Sequence, residues 1–188
     1  VRRQRQMCIR DRDLRGPVYQ GLPTLEKHRN IHPLAAAIEL AACQTDLVYI
    51  GDGGLSEEVR EQFLIYQQEQ SILLHIDVID HEFCEYVLGN HTNRQDDARD
   101  VLRSADARFR KIPYIPVRDT NERKKGSVTL DNEKYCRYMG EIQITKRDLP
   151  ADEKVNRVAR VIEEELPLLE QIHAGVNFKL IKKEKKAN

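Results

Sequence analysis

Four stretches of this 188-residue chain carry side chains whose types and spacing suit chemistry on a small, polar, anionic molecule. In the first, residues 21–29 (GLPTLEKHR), Glu26, His28 and Arg29 stand together on a loop just ahead of a helical pattern. A carboxylate there can accept hydrogen bonds from sugar hydroxyls, and Arg29 can hold an anion through its planar fork. The same residues also suit a solvated charged loop. In the second, Asp52 follows a short apolar run and precedes two glycines. Strand ends of that kind gather ligands in β/α folds, because the loops converge there and helix N-termini point inward. Asp52 equally suits a turn or the cap of the next helix. In the third, residues 135–144, strand alternation puts Tyr135, Arg137, Met139, Glu141 and Gln143 on one face and Cys136, Tyr138, Gly140, Ile142 and Ile144 on the other. The polar set, beside a turn at Asp131 and Asn132, reads either as a solvent face or as a wall that recognises a hydroxylated anion. In the fourth, Arg94 and Arg103 can give bidentate contacts to phosphate or carboxylate, or can pair with Asp96, Asp97 or Asp100.

No general catalytic motif accompanies these stretches. The chain has no phosphate-cradling glycine loop, dinucleotide fingerprint, HExxH pair or nucleophile elbow. Its four cysteines, Cys8, Cys43, Cys84 and Cys136, lack zinc-ligand spacing and read as reduced, buried thiols of a cytosolic protein. Carboxylate pairs abound, but spacing along a chain does not place two of them across one bond.

The elements that must hold these residues fall into two unlike groups. Residues 13–32 are loop-like. Pro33 suits the first turn of a helix whose Leu34, Ala37, Ile38 and Ala41 recur at helical spacing. Residues 46–50 form a short apolar run of the kind found in strands buried on both faces of a parallel sheet. Ser56 suits the cap of a second helix, with Glu57 and Glu58 in its first turn. Helix, strand and helix read as the tail of a β/α fold. From about Leu73 the texture changes. An alternating strand is expected over 74–79, a helix over 95–108, and an antiparallel pair over 127–131 and 135–145. A long amphipathic helix is expected over 151–172, kinked or ended by Pro167, and a last strand over 177–182.

Composition narrows the function. Apolar residues at 40% can build a core, while 33% charged residues leave no run of the roughly 20 apolar residues that a spanning helix needs. Formal charge is zero, but the first twelve residues hold five arginines and one aspartate, so the remainder is mildly acidic. That argues against nucleic acid as a partner. Those twelve residues lack helical or strand period and resemble a translated sequencing adapter, so they are expected to lie outside the fold, with the natural protein continuing upstream of Asp13.

Taken in order, the strings at 16–17, 21–29, 50–52, Asn93 and Arg94, Arg103 and Ser104, 126–132 (GSVTLDN), 135–143 (YCRYMGEIQ), 148–150, and Val155 and Asn156 resemble the 6-phospho-N-acetylmuramidases, an outer-surface-protein-like glycosidase family. The resemblance spans residues 13–182. It implies the last units of a TIM-type β/α barrel over 13–70, followed over 71–188 by a cyclophilin-like α+β domain built as a β-barrel. It implies a cytoplasmic bacterial hydrolase that cleaves 6-phospho-N-acetylmuramyl-N-acetylglucosamine in cell-wall recycling, without metal or organic cofactor. A homodimer is a separate expectation, and the charged composition sets aside a membrane partner. Substrate contacts are then expected from His28, Arg29, Arg94, Arg103, Asn132, Tyr135, Arg137 and Glu141. Glu26 and Asp52, the local carboxylates on barrel-type loops, are the catalytic candidates in this chain, and part of the catalytic apparatus is expected upstream of it. This chain is expected to supply substrate-binding parts and to be inactive alone. The competing expectation is a non-catalytic ligand-binding or dimerisation module.

Overall fold

The computed structural model describes residues 4–7, 23, 25–50, 54–111 and 113–184. The chain divides into two compact units, Val1–Glu69 and Gln70–Asn188.

In the first unit, α1 (Pro33–Ala42) starts where proline fixes the first turn, and the His32 Nδ1 accepts a hydrogen bond from the Leu34 N–H at 3.2 Å. The strand β2 (Leu47–Ile50) follows, and then α2 (Glu57–Glu69), where Ser56 Oγ accepts from the Val59 N–H. Ala36 and Leu40 of α1 form a small core against Leu25, Val48, Leu55 and Phe63. Two findings depart from expectation. The first twelve residues contain a strand, β1 (Gln4–Met7), which pairs in parallel with β2 from Gln4 opposite Leu47 to Met7 opposite Ile50. Backbone pairing needs no side-chain period, so composition did not reveal it. And β2 is not buried on both faces, since Leu47, Tyr49 and Ile50 are 56%, 45% and 42% exposed. A two-stranded sheet has too little cover to bury a continuous apolar strand.

The second unit is a seven-stranded mixed sheet curled into a nearly closed barrel. Its strands are β3 (Ser71–Val78), β4 (Gly89–Thr92), β5 (Val101–Arg103), β6 (Ser127–Asp131), β7 (Ile142–Thr145), β8 (Val155–Val161) and β9 (Asn177–Lys182), in the order β4-β9-β3-β8-β6-β7-β5. Only β3 with β9 is parallel among the paired strands of this sheet. The edge strands β4 and β5 approach each other through a bridge between Asn93 and Ser104, with Arg94 N–H donating to Arg103 O at 3.0 Å and Ala105 N–H to Thr92 O at 2.9 Å. Closing in this way removes exposed edges. Leu74, Ile76, Val128, Leu130, Ile142, Ile144, Phe178 and Leu180 are among its buried apolar residues.

Three expected elements are otherwise. The helix over 95–108 is β5 plus a short 3-10 helix at Asp106–Phe109, because pairing with β7 claims the backbone of Val101, Leu102 and Arg103. The long helix over 151–172 is β8 followed by a 3-10 helix at Glu163–Gln171. Val155, Val158 and Val161 mimic helical spacing, yet β8 lies between β3 and β6 and is buried on both sides, so no two-residue period survives in its sequence. Pro167 falls in the 3-10 segment, where its missing N–H is less costly than inside an α-helix. The strand over 135–145 begins only at Ile142, and Glu133–Tyr138 coil as a 3-10 helix. For β3 the expected alternation gives way to continuous burial from Ser71 to Ile76, where the 3-10 segment Glu163–Gln171 packs against the strand and Glu165 covers His75 at 2.6 Å. Of the cysteines, Cys84 is buried, but Cys43 and Cys136 are exposed. No helix among the described residues is long and apolar enough to cross a membrane.

Candidate ligand-binding cleft

The barrel seam places the first pair of arginines. Asn93 is buried at the bridge, where its Oδ1 accepts from the Arg103 N–H at 3.0 Å and its Nδ2 donates to His173 O at 3.1 Å. Its own N–H bonds Val176 O, and its carbonyl accepts from the Gly175 N–H. This pinning sets Arg94 and Arg103 side by side. Both grip Asp96, with Arg94 Nε 3.0 Å from Oδ1 and Arg103 Nη2 2.5 Å from Oδ2. Partial burial works against ionisation of Asp96, but the two guanidiniums outweigh it and hold its carboxyl below the usual range. Arg94 also reaches Glu141, at 3.8 Å. The arginines are thus joined, and the pairing with Asp96 is among the partners their spacing allowed.

Near Glu141 the surface opens into a cleft of about 560 Å³, lined by Ala107, Arg110, Arg137, Tyr138, Met139, Gly140 and Glu141. Two short 3-10 helices build it. Asp106–Phe109 carries Ala107 and delivers Arg110, and Glu133–Tyr138 carries Arg137 and Tyr138. The second segment turns back toward β7 through Cys136 and Gly140, at φ of 52° and 90°. The left-handed conformation suits glycine and strains cysteine.

Arg110 is anchored by its backbone neighbours, donating to the carbonyls of Tyr86, Leu88 and Asn90 at 2.7, 3.0 and 2.8 Å. Burial lowers its pKa from the ordinary arginine value. Beside it the buried His91 donates from Nε2 to Val87 O and accepts on Nδ1 from Ser104 Oγ, both at 2.9 Å. Burial, and then the charge of Arg110, push this imidazole down to about 4, so the ring is neutral at neutral pH. Arg137 donates to the Tyr138 hydroxyl at 2.6 Å and lies 4.7 Å from the centre of that ring. Among the described residues neither Arg110 nor Arg137 forms a salt bridge with a carboxylate. Two guanidiniums and an aromatic edge facing one opening can take an anion attached to an apolar or sugar-like body.

Behind the cleft wall lies Asp131, 2% exposed, with its Oδ1 unpartnered among the described residues. Burial first, and then the charges of Glu141 and Asp152, push its carboxyl up to about 8 against the opposing pull of Arg123. Tyr135 is raised for related reasons, burial first and then Asp131.

The other expected site residues are spread more widely. Asn132 is fully buried. Its Nδ2 donates to Glu153 O and Asn156 Oδ1, both at 2.9 Å, and its Oδ1 caps the 3-10 helix through the Lys134 N–H. These contacts tie together the loops around it. Tyr135 packs edge-on against Tyr138 at 6.2 Å, with the Lys154 Nζ 5.7 Å from its ring centre. Because Glu133–Tyr138 is not a strand, Tyr135, Arg137 and Glu141 do not share a pleated face, although Arg137 and Glu141 still meet at the cleft. In the first unit, Glu26 and Arg29 form a two-pronged ion pair with both contacts at 2.6 Å, and Arg29 holds the Glu26 carboxyl below its usual range. His28 is buried, 2.8 Å from Glu39 Oε2. Asp52 lies outside the described residues. Sequence reasoning missed Arg110, which no motif flags, and treated Asp131 only as part of a turn. An aspartate closing a strand with Val128 and Leu130 was the available signal. Among the described residues no three His, Cys, Asp or Glu side chains group to hold a metal ion.

Two family models match the chain. One described as "6-phospho-N-acetylmuramidase, N-terminal" covers residues 9–64, and one described as "6-phospho-N-acetylmuramidase, C-terminal" covers residues 71–181. Two solved structures are similar. A conserved Enterococcus faecalis protein described as of unknown function is 45% identical with a TM-score of 0.84, covering 95% of this chain and 49% of that one. An uncharacterised B. cereus protein is 32% identical with a TM-score of 0.68, covering 86% of this chain and 48% of that one. The chain therefore spans about half the length of either. A search of curated proteins gave no match.

Proposed function

The chain belongs to the 6-phospho-N-acetylmuramidase family, and on that premise we propose that the cleft of its second unit holds the anionic end of a phosphorylated muramyl sugar. The parent protein is a glycoside hydrolase that cleaves 6-phospho-N-acetylmuramyl-N-acetylglucosamine in the cytoplasm during recycling of cell-wall fragments. This chain contributes the substrate-holding wall and is inactive alone. The observation that carries this reading is the convergence of Arg110, Arg137 and Glu141 on one cleft. Such a substrate brings a phosphate, a lactyl carboxylate and hydroxyls. Guanidiniums suit the first two, Glu141 can accept from the hydroxyls, and the Tyr138 ring offers a flat face to a sugar.

The fold supports the same reading in its finer parts. A parallel β1–β2 pair with α1 before β2 and α2 after it, and with Leu47, Tyr49 and Ile50 exposed, suits the last units of a larger TIM-type barrel. The second unit suits a cyclophilin-like barrel. Glu26 is an ionised, exposed carboxylate, which fits a base or nucleophile better than an acid.

Calorimetric titration with 6-phospho-N-acetylmuramic acid tests the cleft. Arg137→Ala should weaken binding at least tenfold without changing the folded far-ultraviolet spectrum. Binding that is indifferent to this change, and to Arg110→Ala, would refute the assignment.

A further inference from the structure

Asp131 is a buried carboxyl that lies outside the anion contacts of the cleft. Its Oδ1 is buried without a hydrogen-bond partner among the described residues, and the residue is 2% exposed. An uncompensated buried carboxylate is costly, and such a group calls for a specific explanation. Its backbone is tied to the cleft wall on both sides. The Asp131 N–H donates to Glu141 O at 3.0 Å, and the Gly140 N–H donates to Asp131 O at 2.9 Å. Since Leu130 is opposite Ile142, continuing the register sets Asp131 beside Glu141 on one face of the sheet.

The groups facing Asp131 come from four elements. Glu141 comes from the lead-in to β7, Asp152 from the loop before β8, Tyr135 from the 3-10 helix, and Arg123 from the loop before β6. Three of them are acidic or phenolic. Arg123 engages Pro150 O at 3.1 and 3.0 Å and stands 3.9 Å from Asp152. Two carboxylates this close in a desolvated site do not both ionise readily. Glu141 has the arginine, Arg94, and the open side of the cleft.

We propose that Asp131 is a positioning residue for the cleft: its buried carboxyl, tied through its backbone to Glu141 and Gly140, sets the wall that faces Arg94, and a charge placed on it loosens that wall. The functional side of this rests on the reading of the cleft as an anion site. Below the titration of Asp131 the wall is set, and above it two like charges push Glu141 and the Gly140 turn apart.

The test uses the full chain, with amide spectra of Gly140 and Glu141 followed from pH 6 to 10. Both should inflect near pH 8 in the wild type and stay flat in Asp131→Asn. In Glu141→Gln the Gly140 inflection should move to lower pH, because one repelling charge is gone. With inorganic phosphate as probe, wild-type affinity should fall at least fivefold between pH 7 and 9.5, and that of Asp131→Asn by less than twofold. Flat wild-type amides, an unchanged inflection in either variant, or the same loss of phosphate affinity in wild type and Asp131→Asn would overturn the proposal. Titrating amides with no phosphate bound by either protein would uphold the coupling of Asp131 to Glu141 and refute the anion site instead.

Discussion

Replacing Asp131 by asparagine removes a titration from the interior while keeping the side chain's shape, and its effect on stability follows from the burial. The folded protein holds the Asp131 proton up to about pH 8, against an ordinary aspartate value of 3.8. Between those values the folded state binds more protons than the unfolded state, so stability falls as pH rises through the window and levels off above it. At about 1.4 kcal/mol per unit, the full difference is about 5–6 kcal/mol, an upper figure. The residue is 2% exposed, so solvent screens little of it. Asparagine escapes that loss but brings an amide that needs partners, which costs about 1–3 kcal/mol when they are missing. Asp131→Asn should therefore be more stable than the wild type by about 3 kcal/mol at pH 9 and no more stable at pH 4. Urea unfolding followed by circular dichroism at pH 4, 6, 7.5 and 9 measures this. Parallel curves for the two proteins, or a variant that is weaker at pH 9, would show that Asp131 is ionised in the fold and that its surroundings have been misread.

Other perturbations probe the seam and the cleft separately. Arg94→Ala removes a partly exposed guanidinium from Asp96 and Glu141; phosphate affinity should fall about fivefold, while stability changes by no more than about 1 kcal/mol, read by titration and thermal melting. His91 has its imidazole lowered to about 4 from 6.5, so it contributes stability that is complete above pH 6.5 and lost as pH falls toward 4, about 3 kcal/mol in all. His91→Gln should flatten that acid limb in urea titrations. At Gly126, with φ of +83°, a Cβ would come within 2.4 Å of Leu166 Cδ2; Gly126→Ala should cost about 2–4 kcal/mol, seen as a lower urea midpoint.

Much of the architecture was legible where local chemistry decides it. Pro33 and Ser56 marked two helix starts, and the apolar run at 47–50 marked a strand, because capping and backbone restriction act within a few residues. The same local signals misled over 151–172, since valines spaced for a helix serve equally well in a strand covered on both faces. Arg94 and Arg103 stood out as anion-binding types. Their meeting came from Asn93, which bridges to Ser104 at the barrel seam while carbonyls about 80 positions away hold its side chain. Strand alternation puts Arg137 and Glu141 on one face, but they meet because the chain turns at Cys136 within a 3-10 segment and at Gly140 after it.

By itself, then, the sequence determined composition, charge, the starts of the helices, and the strings through which family membership can be read. Only tertiary structure decided which arginines keep company, which carboxyl loses its water, and which loop residues become internal struts like Asn132. The reason is physical. Side-chain type sets what a residue can do with a partner, but desolvation and pairing depend on neighbours that strand order brings from far along the chain.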